Sequence, residues 1–308
     1  MNKTCIIICG PTASGKTALS LQLARHFNTE IISADSRQCF RELNIGVAKP
    51  SEEELREIPH HFINSHSITD ELNVAGFEVH ALKATESIFK EKDVAVMVGG
   101  TGLYIRAFCQ GIDAIPAVPD VLRNEIINQY EQFGTEWLRQ QIQEHDINFY
   151  TRGEITNPQR LMRALEVKLH TGRSIISFQL QAKKERAFRI IKIGLNLPRE
   201  ILYERINNRV DTMIESGLEK EVFQLQEFKH LNALRTVGYT EFFNYFEQRE
   251  KSIAQPELLK HTIDLIKQNT RNYAKRQITW FKKEKDIKWI DAVKDPWASL
   301  VSEISLAK

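Results

Sequence analysis

The stretch 10-GPTASGKT-17 brings two glycines, a lysine and a hydroxyl together at a spacing suited to holding phosphate. Gly10 and Gly15 free the backbone to wrap an anion, and the N-terminus of the helix that follows supplies partial positive charge. Lys16 adds a full charge, and the Thr17 hydroxyl is placed to touch a phosphate oxygen or a bound Mg²⁺. Pro11, Thr12, Ala13 and Ser14 complete the loop. A nucleotide is the usual ligand of this arrangement, but the pattern specifies phosphate and not what the phosphate is attached to.

A second set of chemical residues lies at 33-SAD-35 and 98-VGGTG-102. Ligands of open α/β sheets bind at the carboxyl ends of the strands, so these segments converge on Gly10–Thr17. Asp35 is the carboxylate that the first three strand ends deliver. It suits a metal ligand in a nucleotide-hydrolysing enzyme, a base that activates an acceptor, or a turn cap. There is no NKxD guanine-specificity motif, and Gly-Gly-Thr stands where an ATPase often carries an acidic pair. His60 and His61 read as loop residues without the third ligand a metal would need. Asp70 and Glu71 read as a solvated loop.

Hydrophobic periodicity indicates the elements that must position these groups. The runs 4-TCIIIC-9, 30-EIISAD-35, 93-DVAVMVGG-100 and 189-RIIKIGLN-196 suit strands buried on both faces of a parallel sheet. Helical patterns cover 16–27 and 74–92. After the proline-punctuated hinge 113-DAIPAVPD-120, the pattern is helical over 121–133, 135–145 and 158–172, the last opened by Asn157-Pro158 and closed by Gly172. Helices alone are expected beyond residue 196. The expected fold is α/β, a P-loop NTPase-like parallel-sheet core with a helical insertion domain. Residues 1–113 form the first part of the core, 114–187 the insertion, and 188–308 complete the core with a basic helical C-terminal segment.

Of 308 residues, 42% are hydrophobic and 27% charged, the balance of a globular enzyme and not of a disordered chain. The formal net charge is only +2, so a nucleic-acid partner must be argued from where the cations sit. They gather in 267–288, which holds eight Lys/Arg against two acids, with Tyr273, Trp280 and Phe281 interleaved. The spacing of Tyr273, Gln277, Trp280 and Phe281 assigns the aromatics to the core face of a helix and the flanking cations to phosphate. No run approaches the roughly 20 apolar residues of a membrane helix, and MNKTCIIICG reads as a first strand. Cys5, Cys9, Cys39 and Cys109 lack metal-ligand or disulfide spacing, which points to reduced thiols in a cytoplasmic protein.

Seven strings in register carry a resemblance: GPTASGKT, 33-SADSRQCFRELNIGVAKP-50, 59-PHHFI-63, 98-VGGTGLY-104, 159-QRLMRALEV-167, 237-VGYTE-241 and 273-YAKRQITWFKKE-284. Together, from Lys3 to about Asp291, the chain resembles the tRNA dimethylallyltransferases, also called tRNA isopentenylpyrophosphate (IPP) transferases. The resemblance implies transfer of a dimethylallyl group from dimethylallyl diphosphate to N6 of the adenosine 3′ of the anticodon (position 37), in tRNAs reading codons that begin with U. The products are N6-isopentenyladenosine and diphosphate. It further implies Mg²⁺ as cofactor and a monomeric enzyme that binds the tRNA anticodon stem–loop and no membrane. Gly10–Thr17 would grip the donor's diphosphate, Asp35 would be the general base, and Thr17 would face the leaving group and Mg²⁺. Arg209, with Arg205 as a neighbour, would stabilise the diphosphate. Contacts to the anticodon loop carry over onto Asp35, Ser36, Arg37, Gln38, Thr101, Arg123, Gln159, Arg160, Leu161, Met162 and Arg163. Cys39-Phe40 and Val47 depart from the family's usual Val-Tyr and Thr, at positions with no assigned chemical role. The zinc finger of eukaryotic members is absent, which implies a bacterial-type or minimal enzyme.

This chemistry has physical requirements that the residues meet. An exocyclic adenine amine is a poor nucleophile, and a carboxylate that takes its proton contributes typically about 10²–10⁴-fold. Departing diphosphate needs cations where its charge develops. The adenosine must also leave its stack, which suits an insertion that clamps the stem–loop. An adenylate isopentenyltransferase, a small-molecule P-loop kinase with Arg209 as a lid arginine, and an RNA-binding ATPase are the alternatives. The insertion and the basic segment favour a macromolecular acceptor.

Overall fold

The structure, a computed structural model, describes residues 3–179, 184–249 and 255–306. In chain order the elements are β1 (Thr4–Cys9), α1 (Lys16–Phe27), β2 (Ile31–Ser33), α2 (Glu52–Glu57), β3 (His60–His61), α3 (Val74–Glu91), β4 (Val94–Gly99), α4 (Gly102–Gln110), α5 (Asp120–His145), α6 (Ile147–Arg152) and α7 (Pro158–Thr171). They continue with β5 (Arg189–Asn196), α8 (Arg199–Glu215), α9 (Leu218–Gln224), α10 (Tyr239–Arg249), α11 (Gln255–Phe281), β6 (Ile287–Asp291) and α12 (Pro296–Leu306).

One sheet runs in the order β3-β2-β4-β1-β5-β6, and every pair is parallel. In β1, Ile7 pairs with Met97 on one side and Lys192 on the other. Its side chains alternate between two apolar layers, as a pleated strand requires. Cys5, Ile7 and Cys9 join Phe77, Phe108 and Phe281, while Ile6 and Ile8 join Leu19, Leu23 and Leu300. Both faces are covered, which explains why the strand reads as one apolar run. Each fully buried Ile or Leu here contributes about 1.5–3 kcal/mol. All four cysteines are buried and free.

Two strands were not expected. His60–His61 is no loop but an edge strand on β2, with Ile31 N–H donating to the Pro59 carbonyl at 3.0 Å and His61 Nε2 lying 2.5 Å from Glu30 Oε2. Two residues are too few to show a period. β6 stands where helices alone were expected, because α11 stops at Phe281 and Ile287 and Ile290 then turn into the core. Ile287 joins the layer of Phe281 and Ile290 the layer of Leu300, so five residues among lysines show no period of two. Lys192, buried in β5, anchors the turn before β6 through Asp286 at 2.9 Å and Glu284 at 3.8 Å.

The chain divides into two compact units, Met1–Cys109 with Glu185–Lys308, and Gln110–Lys184. The second starts at 110 and ends at 184, against the expected 114–187. Hydrogen bonding explains the shift: Lys184 N–H donates to the Gln110 carbonyl at 2.9 Å and closes the neck of this unit. Arg186, by contrast, is tied into the first unit by the Phe108 and Ala107 carbonyls and Glu78. Within the second unit, α5, α6 and α7 enclose Leu138, Ile142, Leu161 and Leu165. α5 breaks at Gly134, whose φ of 75° no helix accommodates. α7 begins where the Asn157 side chain accepts from the Gln159 and Arg160 N–H groups, with Pro158 in its first turn, and ends at Gly172. Among the described residues, no helix is long and apolar enough to cross a membrane.

Candidate active site

β1 ends at Cys9, and the chain turns through a loop into α1. Gly15, at φ 92°, takes the left-handed conformation that lets the helix start at Lys16. Ser14 Oγ is buried without a hydrogen-bond partner. Lys16 Nζ donates to the Pro11 carbonyl at 2.6 Å. Burial, and then the charge of Arg209, lower the Lys16 amine to about 8, with Asp35 opposing. Arg209 enters from α8; burial lowers its pKa too, again against Asp35. Two half-buried cations thus act on one another at the edge of a cavity, an arrangement that a multiply charged anion stabilises. Arg205, one turn earlier on α8, is exposed, and a Cβ on Gly15 would come within 3.9 Å of its Nη1.

Opposite this cradle, Asp35 follows β2. Its Oδ1 accepts from Arg37 N–H at 2.8 Å and Gln38 N–H at 3.3 Å, which orients the carboxylate. Thr101 sews this turn to the end of β4: its Oγ1 accepts from Ser36 N–H at 3.1 Å and its N–H donates to the Ala34 carbonyl at 3.2 Å. Gln38 accepts from Ser33 Oγ and donates to the carbonyls of Val47 and Ala48. Thr12, Lys16, Thr17, Asp35, Arg37, Gln38 and Arg209 all line one cavity of about 360 Å³. Val47, Val210, Met213, Leu218, Val237 and Ile266 give the same cavity an apolar lining.

Other residues complete this site. Glu221 on α9 accepts from the N–H groups of Asn44, Ile45 and Gly46 at 3.2, 2.8 and 3.1 Å and from the Tyr239 hydroxyl at 2.5 Å, which holds the loop that bears Val47. α11 contributes Tyr273 and Gln277 to the cavity. Burial, and then Asp35, push the Tyr273 hydroxyl up to about 12. Tyr273 and Gln277 fall in the 273–284 string and were expected on the core face of a helix, not in a site, whereas nothing local marked Glu221. Phe281 is core and Trp280 packs against it, while Lys275, Lys282, Lys283 and Lys285 are exposed. Among the described residues, no group of three or more His, Cys, Asp or Glu could hold a metal.

The other candidate residues lie in the second unit. Arg163 and Arg123 converge on the buried Glu166, at 3.1 and 3.6 Å, and Arg163 also donates to the Pro116 carbonyl. Gln159 and Arg160 are exposed at the start of α7. Leu161 and Met162 are buried in this unit's core, so their side chains present nothing to an RNA surface.

The model of a family described as IPP transferase matches residues 38–284. The chain belongs to the IPP transferase family. It is 46% identical over 291 residues to a tRNA dimethylallyltransferase of Christiangramia forsetii, covering 94% of each chain. With the tRNA dimethylallyltransferase of Cytophaga hutchinsonii it shares 44% over 292 residues, 94% of this chain and 93% of that one. Among solved IPP transferases, the full-length tRNA isopentenylpyrophosphate transferase of Bacillus halodurans is similar at a TM-score of 0.69 and 31% identity, over 100% of this chain and 96% of the other. A eukaryotic dimethylallyltransferase captured acting on tRNA is similar at a TM-score of 0.76 and 26% identity, over 99% of this chain and 78% of that one.

Proposed function

We propose that this chain transfers the dimethylallyl group of dimethylallyl diphosphate to N6 of adenosine 37 in tRNA, with release of diphosphate. The observation that carries the reading is one cavity that joins three environments: a cationic floor at Lys16 and Arg209, an oriented carboxylate at Asp35, and an apolar wall at Val47, Val210 and Met213. An allylic diphosphate uses all three.

In this reading the Gly10–Thr17 loop, Lys16 and Arg209 hold the diphosphate and stabilise its charge as the C–O bond breaks. Asp35 takes the proton of the adenine amine as the C–N bond forms. Its two backbone donors keep the carboxylate aimed. The apolar wall shields the allylic carbon from water. Thr17 offers a hydroxyl, a hard oxygen donor of the kind Mg²⁺ takes, and the partnerless Ser14 Oγ leaves a further polar group in the same loop. Bound there, Mg²⁺ would neutralise charge on the leaving diphosphate. Arg160, exposed at the start of α7, and the exposed lysines of α11 and of the turn after it supply cations for the anticodon stem–loop, and Gln159 adds a neutral amide that can hydrogen-bond.

The test is to incubate the chain with dimethylallyl diphosphate, Mg²⁺ and an anticodon stem–loop carrying adenosine 37. Mass spectrometry should show one prenyl adduct, dependent on that adenosine. ATP turnover without an adduct would instead make the chain a kinase or ATPase, and prenylation of free AMP but not of the stem–loop would make it an adenylate isopentenyltransferase.

A further inference from the structure

Gln277 sits on α11, buried, 265 residues from one of its partners and 177 from the other. Its Oε1 accepts from Thr12 N–H in the phosphate loop at 2.8 Å, and its Nε2 donates to the Gly100 carbonyl beyond β4 at 3.0 Å. The partners settle which end of the amide is which, since an N–H can only donate and a carbonyl can only accept. Gly100 is fitted to this side chain: a Cβ there would run into Gln277 Nε2. The two segments it joins belong to opposite halves of the site. Thr12 is part of the loop that carries Lys16 and Thr17, while Gly100 precedes Thr101, which is sewn to Ala34 and Ser36 on either side of Asp35.

We propose that Gln277 is a positioning residue that sets the spacing between the diphosphate cradle and the base, Asp35. This rests on the function proposed above. A prenyl carbon and an adenine amine react only when held within about 3–3.5 Å and in line, and a displacement of about 1 Å costs on the order of 10²-fold. Each half is built on its own strand end, so each can bind its own ligand without the strut. The strut acts on their separation. It therefore bears on the transfer step and not on either binding step.

Two variants of the full chain test this. Gln277→Met keeps the shape and removes the hydrogen bonds to Thr12 and Gly100. Gln277→Glu keeps an acceptor for Thr12 N–H but sets a carboxylate against the Gly100 carbonyl until it is protonated, and burial raises the pH at which that happens. Single-turnover prenyl transfer should fall on the order of 10²-fold in both. The affinities for inorganic pyrophosphate and for the stem–loop should stay within about threefold of wild type, since an interaction felt only in the transition state lowers kcat and spares KM. As the pH is lowered, the rate of Gln277→Glu relative to wild type at the same pH should recover, because the protonated carboxyl donates to Gly100 again; Gln277→Met should not recover. An unchanged rate in Gln277→Met overturns the proposal. So does a loss of pyrophosphate affinity that matches the loss of rate, with no acid recovery in Gln277→Glu, which would make the residue a structural support of the loop. A wild-type chain that forms no adduct overturns the functional reading itself and so is distinguished from either result.

Discussion

Two basic clusters in this protein treat their charge in opposite ways. In the second unit, Arg163 and Arg123 are answered by Glu166, whose carboxylate is buried and takes both guanidinium groups. In the first unit, Lys16 has a backbone carbonyl, and Arg209 makes no hydrogen bond or ion pair among the described residues. Both are pushed toward losing their protons by burial, with Asp35 as the carboxylate that opposes this. Burying charge without a partner is costly, so a folded protein keeps such a pair where a ligand supplies the compensation. The neutralised cluster holds structure together, and the other is ready for an anion.

The comparison breaks most sharply at Asp35. Asp35→Asn should lower single-turnover transfer by about 10²–10⁴-fold while stem–loop affinity is retained; a parallel loss of binding would reduce Asp35 to a turn cap. The two clusters should next separate in binding and melting experiments. Arg209→Met should weaken pyrophosphate binding by about tenfold or more, because hydrogen bonds to charged groups contribute about 1.5–3 kcal/mol, and should leave the Tm unchanged or higher. Glu166→Gln should instead cost about 1–3 kcal/mol of stability and leave pyrophosphate affinity alone. If Arg209→Met destabilised the fold as much as Glu166→Gln, the contrast would be lost. The smallest effect is in pH. Lys16 is cationic below about 8 and neutral above, so pyrophosphate affinity should fall as the pH rises through that value, and Lys16→Arg should remove the inflection. Stability moves the other way: with the folded pKa below the unfolded one, the unfolded chain binds more protons between the two, and this group's contribution to stability rises with pH across that window. Isothermal calorimetry and thermal melts across the pH range check both.

Much of the framework was legible because its signals are local. α1 spans Lys16–Phe27, the same residues as the helical pattern, because a glycine able to take a positive φ precedes it and apolar residues recur at helical spacing. The cap at Asn157 and the stop at Gly172 were equally plain. The edge strands β3 and β6 were not, since one has two residues and the other is five residues among lysines whose buried isoleucines face opposite layers. Leu161 and Met162 looked like part of an RNA-binding string, but the helix turns them inward while Gln159 and Arg160 stay outside.

The chain's own order of residues was enough to establish a phosphate loop, a carboxylate at the next strand end and a parallel sheet to hold them. These depend on backbone preference, charge and periodicity over a few neighbouring positions. Folding alone decided that Gln277 bridges Thr12 and Gly100 and that Glu221 clasps residues 44–46. It likewise placed an apolar wall beside the cradle. Those contacts span 175 residues or more, and a hydrogen bond between distant segments leaves no periodic trace in either. The reaction needs donor and acceptor held at a set distance, and that distance is fixed by such long-range bonds.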